Sequence, residues 1–309
     1  MLCRRLPRGV IIANGVERRD AHARLGCADA GRIQARLRTQ RRTNGSSKLR
    51  SRKQSPQPHP EADNSLWTEA LFGAEVLLLH ATPVYYGFGV PRGDDSGVVI
   101  IPGFLGTDLY LTELHQWLGR IGYRPYFSGI GINADCPNLL IQRHVNATIK
   151  TALNETGRKV HLIGHSLGGV LARAVASQVP ELVASVITLA APFRGVSVHP
   201  SILRAAEVVR GQILQRHGDD VLPKCYTGAC TCRFLASLKE QLPKSVSQTA
   251  VYTKTDGIVD WHVCRTGNRA IDFEVSATHI GMIFNPVVFH LVAHRLAGKR
   301  LPRHGPERA

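Results

Sequence analysis

The stretch that most restricts what this chain can fold into is Val160-His161-Leu162-Ile163-Gly164-His165-Ser166-Leu167-Gly168-Gly169. An apolar run of strand character meets Gly-x-Ser-x-Gly. Val170-Leu171-Ala172-Arg173-Ala174-Val175 then follows with helical propensity and spacing. A strand that reverses into a helix within a few residues brings backbone against backbone. Side chains two before and two after the serine would collide, and glycine at 164 and 168 removes the Cβ at both points. Ser166 would then stand at the strand tip with its hydroxyl exposed and a helix N-terminus behind it. Such an end lowers the energy of a developing negative charge.

The rest of the body reads as alternating strands and helices. An amphipathic helix is expected from Leu66 to Leu79, followed by a strand Gly97-Val98-Val99-Ile100-Ile101 whose unbroken apolar run suits burial on both faces. A helix over about 108–120, a strand 123–127 and a helix over about 138–155 precede the serine strand at 159–163. Strands at 183–190, 249–253 and 271–275 and a closing helix from Pro286 to Leu296 complete the series. This order predicts an α/β fold with a mainly parallel sheet and helices on both faces, in which a site lies at the strand C-termini. Between Ala190 and Thr249 lie almost sixty residues, including a periodic helix with Ile202, Leu203, Ala206, Val209, Ile213 and Leu214. They are readable as a cap over about 192–247 or as ordinary crossover helices with a long loop.

Composition enters through charge. The net charge of +16 would suit a nucleic-acid partner, but residues 1–60 carry 15 Lys and Arg against Glu17, Asp20 and Asp29, and residues 295–309 carry a further net +4. The middle, 61–294, holds 19 basic and 19 acidic residues, so the globular part has no surplus for a phosphate backbone and no nucleic acid is expected. The organisation expected is a basic, disordered extension at 1–62, one domain at 63–298 and a basic tail at 299–309. No run approaches the roughly 20 apolar residues that span a bilayer, and no conventional signal peptide is recognisable, which leans towards the cytoplasm. Cys225, Cys230 and Cys232 are readable as half of a zinc site, as the source of a disulfide to Cys264, as a small staple, or as reduced thiols. No cofactor is expected.

A serine hydroxyl attacks only if a base takes its proton and a carboxylate holds that base in one tautomer. After the strand 249–253 comes Lys254-Thr255-Asp256-Gly257-Ile258-Val259-Asp260, which offers Asp256, with Asp260 as its rival. After the strand 271–275 comes Thr278-His279-Ile280-Gly281, and His279 alone among 14 histidines stands directly between the final strand and the closing helix. His165 is expected to shape the site rather than act as base. Two amides aimed at a developing oxyanion are expected at Leu167, which opens the helix, and at Phe104 in Pro102-Gly103-Phe104-Leu105-Gly106.

Together, the motifs at 101–106, 164–169, 255–259 and 278–281 resemble the α/β-hydrolase superfamily, in particular bacterial lipase- and esterase-like serine hydrolases. The resemblance covers roughly 75–297. It implies Ser166 as nucleophile, His279 as general acid and base, Asp256 as orienter, and the Phe104 and Leu167 amides as oxyanion donors. One departure is Pro102, where many lipases carry histidine before the glycine. The activity implied is cleavage of carboxylic esters, with an apolar acyl or lipid substrate and contact with a lipid surface as further expectations. The same triad serves acyltransferases and thioesterases, and the scaffold also serves non-catalytic binding proteins. A basic-tail interaction protein is a third class, with its function in 1–60.

Overall fold

The computed structural model describes Glu69 and residues 71–299. The predicted extension, the final tail and the start of the first helix at Leu66 lie outside these residues. Six strands form one sheet in the order β2-β1-β3-β4-β5-β6: β1 (Gly97–Ile101), β2 (Arg124–Phe127), β3 (Val160–His165), β4 (Val183–Leu189), β5 (Ser247–Tyr252) and β6 (Asp272–Glu274). Every neighbouring pair is parallel, with Val99 beside Leu162 and Ile163 beside Ile187 in register. A parallel sheet needs crossovers, and helices supply all but the one from β5 to β6. The helices are α1 (Phe72–His80), ahead of the sheet, the crossover helices α2 (Thr112–Arg120), α3 (Pro137–Leu140), α4 (Asn146–Thr156), α5 (Leu167–Gln178), α6 (Pro200–His217) and α7 (Arg233–Leu238), and α8 (Pro286–Leu296), which follows the last strand. A π turn, Ile141–Val145, joins α3 to α4, so the helix expected at 138–155 is interrupted but not ended.

Alternation along each strand sorts the core into two layers. Val98, Ile100, Ile163, Ile187 and Val251 face a cluster built on α2 and α8, where Trp117 and Phe289 pack with ring centroids 4.6 Å apart. Val99, Ile101, Leu162, Val186 and Ala250 face the opposite cluster, built on α4, α5 and α7. Wholly apolar strands such as β1 follow from this double coverage, since all five of its residues are buried.

The first helix departs from expectation. Of α1 only Leu79 is buried, while Leu77 is 73 % exposed and Leu78 is 53 % exposed. A run of consecutive leucines puts apolar residues on every side of a helix, so its period cannot define one buried face.

The chain leaves β1 for β2 on one side and returns to β3 on the other. The strand order therefore reverses between β1 and β3, and a crevice opens beyond their C-terminal ends. The turn after β3 is packed to its limit there. A Cβ on Gly168 would lie 2.2 Å from the Ile101 carbonyl oxygen, and one on Gly164 would lie 2.3 Å from that of Gly168. Both obstacles are backbone and cannot rotate away. Gly168→Ala is expected to destabilise the chain by more than about 4 kcal/mol, the range reserved for forced backbone displacement. Urea unfolding of the variant would check this; a loss under about 1 kcal/mol would mean the approach is not as tight as described.

Candidate active site

Four loops that follow strands meet at the crevice. The first is the turn after β3. Ser166 has φ 50° and ψ −126°, a region that a side-chain-bearing residue occupies only when its surroundings hold it there. The Ser166 amide donates to the Leu189 carbonyl at 2.8 Å, which fixes the turn to the neighbouring strand. Leu167 opens α5, and the first amides of a helix have no acceptor within it.

The second loop, 102–107, follows β1 and lies against the serine: a Cβ on Gly103 would be 3.1 Å from Ser166 Cβ. Asn133, fully buried, clasps this loop. Its Nδ2 donates to the Pro102 carbonyl at 2.7 Å, its backbone carbonyl accepts from the Leu105 amide at 3.0 Å, and its amide donates to the Gly106 carbonyl at 2.9 Å. With the Leu105 and Gly106 amides engaged by Asn133 and Gly103, the Phe104 amide stands outside the loop's own described bonds.

The third and fourth loops follow β5 and β6 and carry the predicted carboxylate and base. Asp256 Oδ1 accepts from the Ile258 and Val259 amides at 2.9 and 2.7 Å, while Oδ2 lies 2.7 Å from His279 Nδ1. Both side chains are buried, so this contact is shielded from water. A carboxylate holding Nδ1–H leaves Nε2 as the ring's proton acceptor. The rival, Asp260, is engaged elsewhere. Its Oδ1 accepts from the His262 amide at 3.0 Å and lies 2.7 Å from His262 Nδ1, and the His262 side chain is 60 % exposed.

A chain of hydrogen bonds joins these loops, and its polarity can be assigned from its ends. The His279 carbonyl can only accept, so His165 Nε2, 2.9 Å away, carries the proton. His165 Nδ1 must then accept from the Tyr110 hydroxyl at 2.8 Å, and Tyr110 Oη accepts from the Gly103 amide at 2.8 Å. The loop after β1, the serine turn and the histidine loop are thus tied through one neutral imidazole. Burial, with His279 adding to it, pushes the pKa of His165 down to about 3. His165 thus bonds the Tyr110 hydroxyl on one side and the His279 carbonyl on the other. Its ring lies 4.9 Å from that of His279, centroid to centroid. Tyr110 was not expected from sequence. Nothing in a tyrosine near a helix start marks it as a partner of a histidine 55 residues on.

The segment between β4 and β5 packs over the loop after β1. Phe104 joins Val209 and Ile213 of α6 and Tyr226 in one cluster, with the Phe104 and Tyr226 rings 6.2 Å apart. His217 Nε2, 2.8 Å from Asp135 Oδ1, ties the end of α6 to the loop before α3. The same region settles the cysteines. Cys225, Cys230 and Cys232 line a cavity of about 130 Å³ with Cys136 and Asp220. Cys264 belongs to a separate cluster with Tyr252 and Val259, so the disulfide to Cys264 is not formed. All five are free thiols, and no group of three metal-binding side chains is arranged for an ion among the described residues.

A parallel sheet with a strand–serine–helix turn at its reversal point, and an Asp–His pair on the last two strand loops, is the α/β-hydrolase fold. Comparison with known proteins finds partial likenesses. A family model for palmitoyl protein thioesterase matches residues 124–255. A triacylglycerol lipase of Burkholderia plantarii is 33 % identical over 133 residues, which is 40 % of this chain and 37 % of the lipase. A triacylglycerol lipase of Pseudarthrobacter phenanthrenivorans is 36 % identical over 106 residues, 32 % of this chain and 33 % of that one. The matched stretch thus spans about a third of these relatives' own length. Among solved structures, one chain described with the metagenome-derived lipolytic enzymes LipS and LipT aligns over 68 % of this chain and 96 % of its own, at 16 % identity and a TM-score of 0.48. Among the described residues, no helix is long and apolar enough to cross a membrane.

The buried neutral His165 gives folding a pH dependence of fixed sign. Unfolded, the ring takes a proton near the ordinary 6.5; folded, it does so only near about 3. Its contribution is complete above pH 6.5 and is lost as pH falls, at up to about 1.4 kcal/mol per pH unit. Urea unfolding between pH 7 and 4 should show that slope, and His165→Gln should flatten it. An equal slope in both proteins would contradict the assignment.

Proposed function

We propose that the chain is a serine hydrolase of carboxylic esters. His279 Nε2 takes the proton of Ser166 as Oγ attacks the ester carbonyl, and the Leu167 and Phe104 amides hold the oxyanion. Asp256 keeps the ring in the Nδ1–H tautomer and stabilises the imidazolium. Collapse of the tetrahedral intermediate breaks the C–O bond to the alcohol, which leaves with the proton from His279. Water, deprotonated by the same Nε2, then cleaves the acyl-enzyme and returns the serine. The observation that carries this reading is the buried 2.7 Å contact between Asp256 and His279, on a loop bonded through His165 to the serine turn. Every group the reaction needs belongs to the chain, so no cofactor is invoked.

An apolar acyl substrate is favoured by the surroundings of the loop after β1. Leu105 and Leu109 are exposed there, and Ile132 is exposed on the strand-like bridge to Thr107. Phe104 is roofed by Tyr226 and α6, so residues 192–247 act as a cap on this reading. The same exposed leucines and isoleucine suit contact with a lipid surface.

A p-nitrophenyl ester series from acetate to palmitate tests both parts. Hydrolysis should favour chains of about eight carbons or more. Ser166→Ala should abolish turnover, and Asp256→Asn should lower kcat by about 10³–10⁴-fold through the wrong tautomer. Activity surviving Ser166→Ala would overturn the reaction, and a preference for acetate would overturn the lipid-like substrate. A palmitoyl thioester run beside the palmitate ester separates ester from thioester preference.

A further inference from the structure

We infer that Glu69 is a positioning residue for the Asp256–His279 pair, a carboxylate clip that holds the two loops carrying them at a fixed separation. The inference rests on the reading of Asp256 as orienter and His279 as base. Glu69 lies ahead of α1 in sequence, about 190 residues from the first of these loops and 210 from the second. Its side chain is nevertheless buried between them, with the residue 6 % exposed. Oε1 accepts from the Gly257 amide at 3.1 Å and from the His279 amide at 3.0 Å, and Oε2 accepts from the Ile280 amide at 2.9 Å. One carboxylate thus bonds the residue after Asp256 and the backbone of His279 itself.

The chemistry of the clip explains why an acid occupies the position. Three N–H donors converge on one side chain, and only a carboxylate offers acceptors on both oxygens with no hydrogen of its own to clash. Hydrogen bonds to a charged acceptor are also the stronger kind. The neighbouring Glu75 repeats the arrangement one step outward. Its Oε1 accepts from the Thr278 amide at 3.0 Å and its Oε2 from the Thr278 hydroxyl at 2.7 Å. Thr253 and Thr255 donate to the Ala277 carbonyl at 2.9 and 2.8 Å, so the strand side of the two loops is already joined. What those threonines do not touch is the tip, where Gly257 and His279 lie. At the tips the described bonds are the Asp256–His279 contact itself and those of Glu69.

The consequence is geometric and electrostatic. Without the clip the tips of the Asp256 and His279 loops share only the contact between those two side chains, and a misplacement of about 1 Å in a reacting group can cost on the order of 100-fold in rate. The charged and titratable groups facing His279 are Asp256 through Nδ1, His165 across the rings, Glu69 at its backbone, and Glu75 one residue away on Thr278. A negative charge beside the base favours the imidazolium that forms during attack.

The test uses the full-length chain with Glu69→Gln and Glu69→Ala, read by ester hydrolysis across pH and by hydrogen exchange. Glu69→Gln keeps one acceptor oxygen and loses the charge, and it should lower kcat by about 10-fold. Glu69→Ala should lower it by about 100-fold, with KM within about twofold in both. The acid limb of kcat/KM should move to lower pH in both variants, which a purely structural role would not cause. In the wild type the amides of Gly257, His279 and Ile280 should exchange slowly, and Glu69→Ala should speed those three while leaving β3 unchanged. Wild-type kinetics and an unmoved acid limb in Glu69→Gln would overturn the proposal, as would unprotected exchange at the three amides in the wild type. If Glu69→Ala does not fold, Glu69→Gln and the wild-type exchange decide alone. A wild type without esterase activity would retire the reading of the Asp–His pair, and exchange, which needs no turnover, would still decide whether Glu69 ties the loops.

Discussion

The whole arrangement hangs on one close approach of backbones, where the N-terminus of α5 passes over the end of β1. Gly168 comes so near the Ile101 and Pro102 carbonyls that no side chain fits. That approach makes the turn after β3 sharp enough to hold Ser166 at φ 50°, and it brings the loop after β1 against the serine. The strain at Ser166 is of order 1–3 kcal/mol and persists because strands on both sides over-determine it. The Ser166 amide bonds β4, and the residue before it, His165, is the last of β3, itself paired with β1. The strained placement of the serine is therefore a property of sheet packing rather than of the serine.

Upon that rigid corner, polar side chains do the remaining alignment. His165, Tyr110 and the Asn133 Nδ2 join three loops through bonds in which each donor meets an acceptor. His165 works because it is neutral: with one nitrogen donating and the other accepting it can stand between a hydroxyl and a carbonyl, and a charged ring could not. Glu69 works by the opposite logic, as an acceptor on every side for three backbone donors. The two residues hold the same histidine loop, one from the serine side through the His279 carbonyl and one from behind through its amide.

Much of this was legible in the residues. The glycine spacing around Ser166 forces its turn, and unbroken apolar runs such as β1 signal a strand covered on both faces. Asp256 and His279 follow their strands at once, so their place at the sheet's C-terminal rim follows from strand order. Asp260 stood as a rival to the preferred Asp256, and the contacts of Asp256 with His279 and of Asp260 with His262 separate the two carboxylates. What could not be read is what depends on long-range contact. Glu69 lies some two hundred residues from its partners, and its neighbourhood looks like the start of a surface helix. The leucines of α1 suggested one buried face, yet most of them are exposed because its packing partners cover only Leu79. The thiols were ambiguous for the same reason: spacing allowed Cys264 as a partner, and the fold places Cys136 beside the other three instead.

The central claim is that the hydroxyl on the strained turn forms a covalent acyl intermediate. Lys159 and Arg173 bound a tryptic fragment, 160–173, that holds Ser166 as its single hydroxyl residue. Rapid acid quench of the chain with a p-nitrophenyl ester, followed by digestion and mass spectrometry, reads that fragment directly. The account predicts the mass of one acyl group on Ser166 within the first turnover, and its accumulation to one per chain when deacylation is slow. Ester hydrolysis proceeding with this fragment unmodified, and the acyl group on another residue, would contradict it.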